Sequence, residues 1–146
     1  VNKVAKKYIP DIALMNRVCE QNYFLLSGLV SNWRLDHIEA FETGPQAVFQ
    51  IRVQHSSRFT NEIEMRQLSN SMPDIMQPKV RIRVYHDAKM AEVIASQNMT
   101  RIQPSYIYPN PHMHQPDEKM QINQFLYDWL SYCHEHGMAL PDQVFS

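Results

Sequence analysis

The densest gathering of groups able to hold a metal or move a proton is His112-x-His114-x-x-Asp117-Glu118. Imidazole and carboxylate are the ligands that zinc, manganese and iron sites use. His112 and His114 can converge on one ion from an extended segment, and Asp117 and Glu118 stand at a helix start, where the dipole keeps carboxylates ionised. The spacing matches no established metal motif, and the plainer reading is a solvated loop with Asp117 as an N-cap. A second pair, His86-Asp87, ends a strand. It reads either as a general base beside an acid, working near neutral pH, or as a hydrogen-bonded turn that Asp87 closes and in which His86 is a satisfied boundary residue. Arg81 and Arg83 share one face of that strand, away from Val80, Ile82 and Val84. With Arg52 they form either cross-strand pairs to Glu62, Glu64 and Glu92 or a surface for an anion such as a phosphate or a carboxylate. Asn22 falls inside an apolar helical stripe, where its amide either pairs with a backbone group or points into a pocket. Asn123 joins it in the candidate polar site.

Other chemistry is thinly represented. There is no Ser-His-Asp order, HExxH, P-loop or nucleophile elbow, and three glycines cannot build a dinucleotide phosphate turn. His134-x-His136 suits the negative pole at a helix end and reads as capping. Arg101, Tyr106 and Tyr108 interleave a cation with rings that could stack a base, or else pin a proline-rich loop. A net charge of −1 argues against a nucleic-acid partner, since phosphate neutralisation supplies most of that affinity. No apolar run is long enough to span a bilayer, and a cytoplasmic protein is expected. Cys19 and Cys133 lie on apolar stripes without metal-type spacing and read as reduced core residues.

These residues need elements to position them. The 146 residues, 44% hydrophobic and 20% charged, are the size and composition of one globular domain. Ile12, Met15, Val18, Cys19, Leu25, Leu26 and Leu29 recur at helical spacing and predict a helix over 10–30. The period then falls to two. Strands are expected over 33–42, 47–54, 59–68 and 79–85, with turns at Gly44-Pro45 and His55–Arg58 and a polar loop over 69–78. Residues 90–96 suit a fifth strand, although 88–95 could be helical, and 98–116 is irregular. A last helix spans 117–136, with Asp117 capping it and Gly137 placed for a left-handed end. The expected fold is α+β: an antiparallel meander of four or five strands, flanked on one face by an N-terminal and a C-terminal helix.

The run Tyr85-His86-Asp87-Ala88 with Ala91-Glu92-Val93, followed by Tyr108-Pro109-Asn110, His114-Gln115, Asp117-Glu118-Lys119, Gln121–Leu126, Asp128-Trp129-Leu130, Tyr132-Cys133 and His136-Gly137, resembles the YqiB-like family of small proteobacterial proteins of unknown function (DUF1249). Lys7-Tyr8, Pro10-Asp11 and Cys19-Glu20 fit as well, so the resemblance runs through nearly the whole chain. It implies no reaction and no cofactor. Two functions are therefore carried forward. One is a small binding or regulatory protein that meets a protein or small-molecule ligand at the 98–116 loop and the charged sheet face. The other is a metal-assisted hydrolase or transferase acting on a nucleotide-like or phosphorylated metabolite, with His86, Asp87, His114, Asp117 and Glu118 as the site and Arg81 or Arg83 steering the anion.

Overall fold

The computed structural model describes residues 11–44, 47–69, 73–99 and 116–140, with backbone alone at 116 and 117. Helix α1 spans Ile12–Leu29. It begins where the Asp11 carboxylate accepts the Leu14 amide at 3.0 Å, and it ends with the Val30 amide on the Leu26 carbonyl. Val18, Cys19, Asn22, Leu26 and Leu29 are its buried stripe.

Strands β1 (Ile38–Gly44), β2 (Ala47–Ser56), β3 (Thr60–Leu68), β4 (Lys79–Tyr85) and β5 (Met90–Gln97) follow in an antiparallel meander, with a single 3₁₀ turn at Asp74–Met76 before β4. Helix α2 (Pro116–His136) and a two-residue strand β6 (Met138–Ala139) end the described chain. The sheet has six strands in the order β5-β4-β3-β2-β1-β6, one more than the alternation predicted. Strand β6 is too short to carry a period of its own. It forms because Phe41 and Glu42 offer it a free edge.

The fold class is thus α+β, with both helices on one face of the sheet. Alternation places Ile63, Met65, Val80, Ile82 and Val84 on that face, in one cluster with Leu26, Leu29, Ile122, Phe125, Leu126 and Trp129. Burying one such aliphatic side chain is worth about 1.5–3 kcal/mol, and this cluster fixes the register of the strands. Residues 90–97 are a strand, as their two-residue period and Ala91 and Val93, both fully buried, require.

Several expectations need correction. The predicted strand over 33–42 begins at Ile38. Before it, Asn32 to His37 turn back on themselves: Asn32 Oδ1 accepts the Arg34 amide, Asp36 takes a positive φ of 69°, and the Asp36 amide donates to Val53 O. Alternating Trp33 and Leu35 had imitated a strand there. Asp117 falls inside the first turn of α2 and not at the N-cap position, because the helix already starts at Pro116, a residue suited to the first helical position. Gly137 does not take a left-handed φ. It serves a close approach: a Cβ at this position would meet Cys133 O at 2.5 Å and Phe41 Cβ at 3.2 Å, where the chain leaves α2 to join β1. Strand β2 runs on to Ser56, so the turn expected over 55–58 begins at Ser57. The other halves of the Gly44-Pro45 turn and of the Pro10 helix start lie outside the described residues, as do Arg101, Tyr106 and Tyr108.

Candidate functional site

His86 follows the end of β4, and its backbone amide donates to Phe59 O. Its ring is wedged edge-on between Trp33, centroids 4.8 Å apart, and Tyr23, 5.7 Å apart. Both ring nitrogens are engaged. Nε2 lies 2.7 Å from Asn61 Oδ1, and Nδ1 lies 3.1 Å from the Tyr23 hydroxyl. Asn61 is buried, and its Nδ2 donates to Trp33 O and His55 O, both at 3.0 Å, so its Oδ1 must be an acceptor. That fixes the tautomer: the proton sits on Nε2, and Nδ1 accepts from Tyr23. Burial pushes the His86 pKa below its usual value, against the opposing pull of Asp87. The result is a neutral imidazole that ties α1, the Trp33 turn, β3 and the end of β4 together. Asp87 does what a turn needs, its Oδ1 accepting the Ala88 amide at 3.0 Å before Lys89 takes a φ of 57°.

Asn22 and Asn123 are also joined, at the seam of the helices and strand β5. Asn123 Oδ1 accepts the Val93 amide at 2.9 Å, covering an outward N–H of the edge strand. Asn123 Nδ2 donates to Lys119 O, and Asn22 Nδ2 donates to Asn123 O. Both asparagines are completely buried. Asn22 therefore pairs with a backbone group, as the plainer reading of its place in the stripe had it.

The opposite face of the sheet is charged. On β3 and β5 its acids are occupied: Glu62 accepts both Nε and Nη2 of Arg83, Glu64 accepts Arg66 at 2.6 Å, and Glu92 takes Lys119 and the Tyr85 hydroxyl. Register places Arg52 and Arg81 on either side of Glu64, and Lys79 beside Arg66. Among the described residues none of Arg52, Lys79 and Arg81 has an ion pair or a hydrogen-bond partner. The cross-strand pairing expected of Arg81 and Arg52 is thus replaced by a bond along β3, from Arg66 to Glu64. Arg83 does pair across strands.

Of the proposed metal ligands, His112 and His114 lie outside the described residues, and Asp117 stands in the first turn of α2. Glu118 is 1% exposed, and neither carboxylate oxygen has a hydrogen-bond partner among the described residues. Those residues hold no group of three or more His, Cys, Asp or Glu able to hold a metal. His134 does not cap its own helix. Its Nε2 lies 3.0 Å from Leu25 O of α1, a bridge between the helices. Sequence reasoning missed Tyr23, Asn61 and Trp33. Asn61 carried a signal, since it is an inward-facing polar residue in a strand of inward Ile63 and Met65.

The frame is a meander backed by two helices, with a charged face opposite them, and its sequence identifies the family. Residues 25–139 match the model of the protein family of unknown function DUF1249, and the chain belongs to that family. It is 39% identical over 137 residues to the uncharacterized protein YqiB of Escherichia coli strain K12, covering 93% of this chain and 98% of that relative. The YqiB proteins of strains O6:H1 and O157:H7 match with the same identity and coverage. No solved structure matches.

Proposed function

We propose that the protein is a binding module that meets its ligand on the open face of its sheet and makes or breaks no bond. The observation that carries this reading is the state of His86. Its two ring nitrogens are committed to Asn61 and Tyr23, so it has no free position from which to take a substrate proton. The charged groups left available lie instead on β2 and β4, at Arg52, Lys79 and Arg81. A reducing compartment such as the cytoplasm fits two free, buried thiols, and no helix among the described residues is long and apolar enough to cross a membrane. The test is a backbone NMR titration of the protein with a panel of small anions, amines and neutral metabolites. Shifts are expected on the outward positions of β2 to β4. Turnover of any substrate that a folded His86→Gln variant loses would replace this reading with a catalytic one.

One observation favours a metal-assisted hydrolase or transferase as the second reading: the buried Glu118 carboxylate without a hydrogen-bond partner among the described residues. An isolated buried carboxylate is costly, and a bound cation would relieve it. Zinc or manganese at a thousand times its dissociation constant would stabilise the fold by about 4 kcal/mol, a thermal shift on the order of 10 °C. Such a shift, absent in Glu118→Gln, is what this reading expects, and an unchanged transition in wild-type protein refutes it.

A further inference from the structure

We infer that the cleft over the Lys79–Gln97 end of β4 and β5 is a site for a phosphoryl group, presented by a small phosphate ester. The inference rests on the binding-module reading and names the chemistry of its ligand.

Charge is out of balance on this part of the sheet. One row across the sheet reads Arg52, Glu64, Arg81, Ala95, and the row beside it reads Gln50, Arg66, Lys79, Gln97. Four cations therefore surround one carboxylate, Glu64, whose bond goes to Arg66. Directly opposed cross-strand residues have Cβ atoms about 4.5–5.5 Å apart, so Arg66 and Lys79 cannot avoid one another's field, and Arg81 stands two residues along β4 on the same face. Ordinary surface pairing leaves no such surplus, as Arg83 and Glu62 show in the next row. The surplus favours a multivalent anion, and Arg52 and Arg81 each carry a planar fork of donors matched to phosphate oxygens.

The second observation is room. A cleft of about 210 Å³ opens here, lined by Glu64, Lys79, Arg81, Ala95, Ser96 and Gln97. It exists because β5 carries a bulge: Ile82 pairs with Val93 but Arg81 pairs with Ala95, so Ile94 is extra. The slip sets a small residue, Ala95, opposite Arg81 and leaves space over it. Bulges of this kind re-aim side chains and recur beside binding sites. Just past the cleft the chain is pinned, with Asn98 at a φ of 60° donating to Ile75 O and Gln77 O. A fixed floor lowers the ordering cost of binding. The cleft is open and shallow, which suits the phosphoryl end of a small ester. A polynucleotide would need an extended basic track, and Glu62 and Glu92 interrupt one.

The probe is inorganic phosphate, titrated into the whole protein at constant ionic strength and followed through the amide signals of Ala95, Ser96 and Gln97. Saturable shifts are expected, with acetate binding about tenfold more weakly. Arg81→Gln and Arg52→Gln each weaken phosphate by about fivefold or more, and Arg83→Gln, whose cation is already paired, changes it less than about twofold. Glu64→Gln tightens it, because a competing carboxylate is gone. Both arginines are exposed, so the variants fold, and the unchanged remainder of each spectrum verifies it. Equal response to acetate and phosphate, or indifference to both Arg81→Gln and Glu64→Gln, overturns the inference. If phosphate fails while other probes still shift β2 to β4, the binding face stands and the phosphoryl site alone falls. If no probe shifts that face, both fall.

Discussion

Replacing Asn123 with leucine separates a structural amide from a merely tolerated one. Leucine shares the branching of asparagine at Cγ but is the larger side chain, so its extra bulk is common to Asn123→Leu and Asn22→Leu, and the difference between them reports hydrogen bonding. Asn123→Leu strips the Val93 amide of its acceptor, and that amide faces outward from β5, with no neighbouring strand among the described residues to take it. An orphaned buried N–H costs about 1–3 kcal/mol, and the bond from Nδ2 to Lys119 O adds about 1. Set against about 1 kcal/mol for the added apolar surface, the net loss is about 1–3 kcal/mol, or roughly 3–10 °C in Tm. Asn22→Leu should behave differently. Asn22 gives one hydrogen bond to a carbonyl inside α2, while its own Oδ1 has no hydrogen-bond partner among the described residues. Removing about 1 kcal/mol of bonding also removes a buried acceptor that is costly to leave unmet, so this variant should lose less stability than Asn123→Leu, with the bulk of leucine common to both. Thermal unfolding reports the totals, and hydrogen exchange at the Val93 amide reports the cause. Equal stability of the two variants, with Val93 protected as in the parent, would refute the reasoning.

Other outcomes follow from the same structure. The folded pKa of His86 is depressed, chiefly by burial, so the unfolded chain binds more protons; stability should be full above 6.5, fall as pH drops below it, and fall less in His86→Gln. The Glu39 carboxyl is raised by burial but lowered further by hydrogen bonds from Ser31 and His37, leaving it below 4.5 on balance. Its contribution should be present above pH 4.5 and lost as pH falls through its folded value, and denaturant titration of Glu39→Gln across that window checks the sign. Gly137→Ala forces a Cβ against backbone and should cost about 1–3 kcal/mol. Gly28→Ala meets only the movable ring of His134 and gains helix propensity, so its Tm should stay within a few degrees, read by the same melts. Burial pushes the thiols of Cys19 to about 11 and Cys133 to about 12, so iodoacetamide at neutral pH should label neither until the protein is unfolded, as mass spectrometry would show.

Most of the architecture was legible because burial writes periods into the chain. The strand at Lys79–Tyr85 and the stripe from Ile122 to Cys133 could be read residue by residue. What escaped lacked a period. The Trp33 turn depends on Asp36 accepting a left-handed backbone, and β6 depends on an edge supplied about a hundred residues earlier. The polar site was half legible for the same reason. His86 and Asp87 stood out by type, but the tautomer of His86 is set by Tyr23 and Asn61, partners that adjacency in sequence cannot announce. Parity correctly gathered Arg52, Arg81 and Arg83 on one face. Which of them is neutralised was decided by Arg66 reaching along its own strand.

The placement of α1 has a consequence for synthesis. The first helix of the described chain packs on β5 and α2, long elements that leave the ribosome after the whole of β1 to β4. At about 5–20 residues per second, its apolar stripe waits several seconds for a permanent cover while the meander between them is still being made. The hairpins of the sheet can zip as they emerge, each against its predecessor. Leu26 and Leu29 cannot, and during that interval they are what a trigger-factor-like holdase would find. The nascent chain should therefore depend on such help most when translation pauses between β1 and β5.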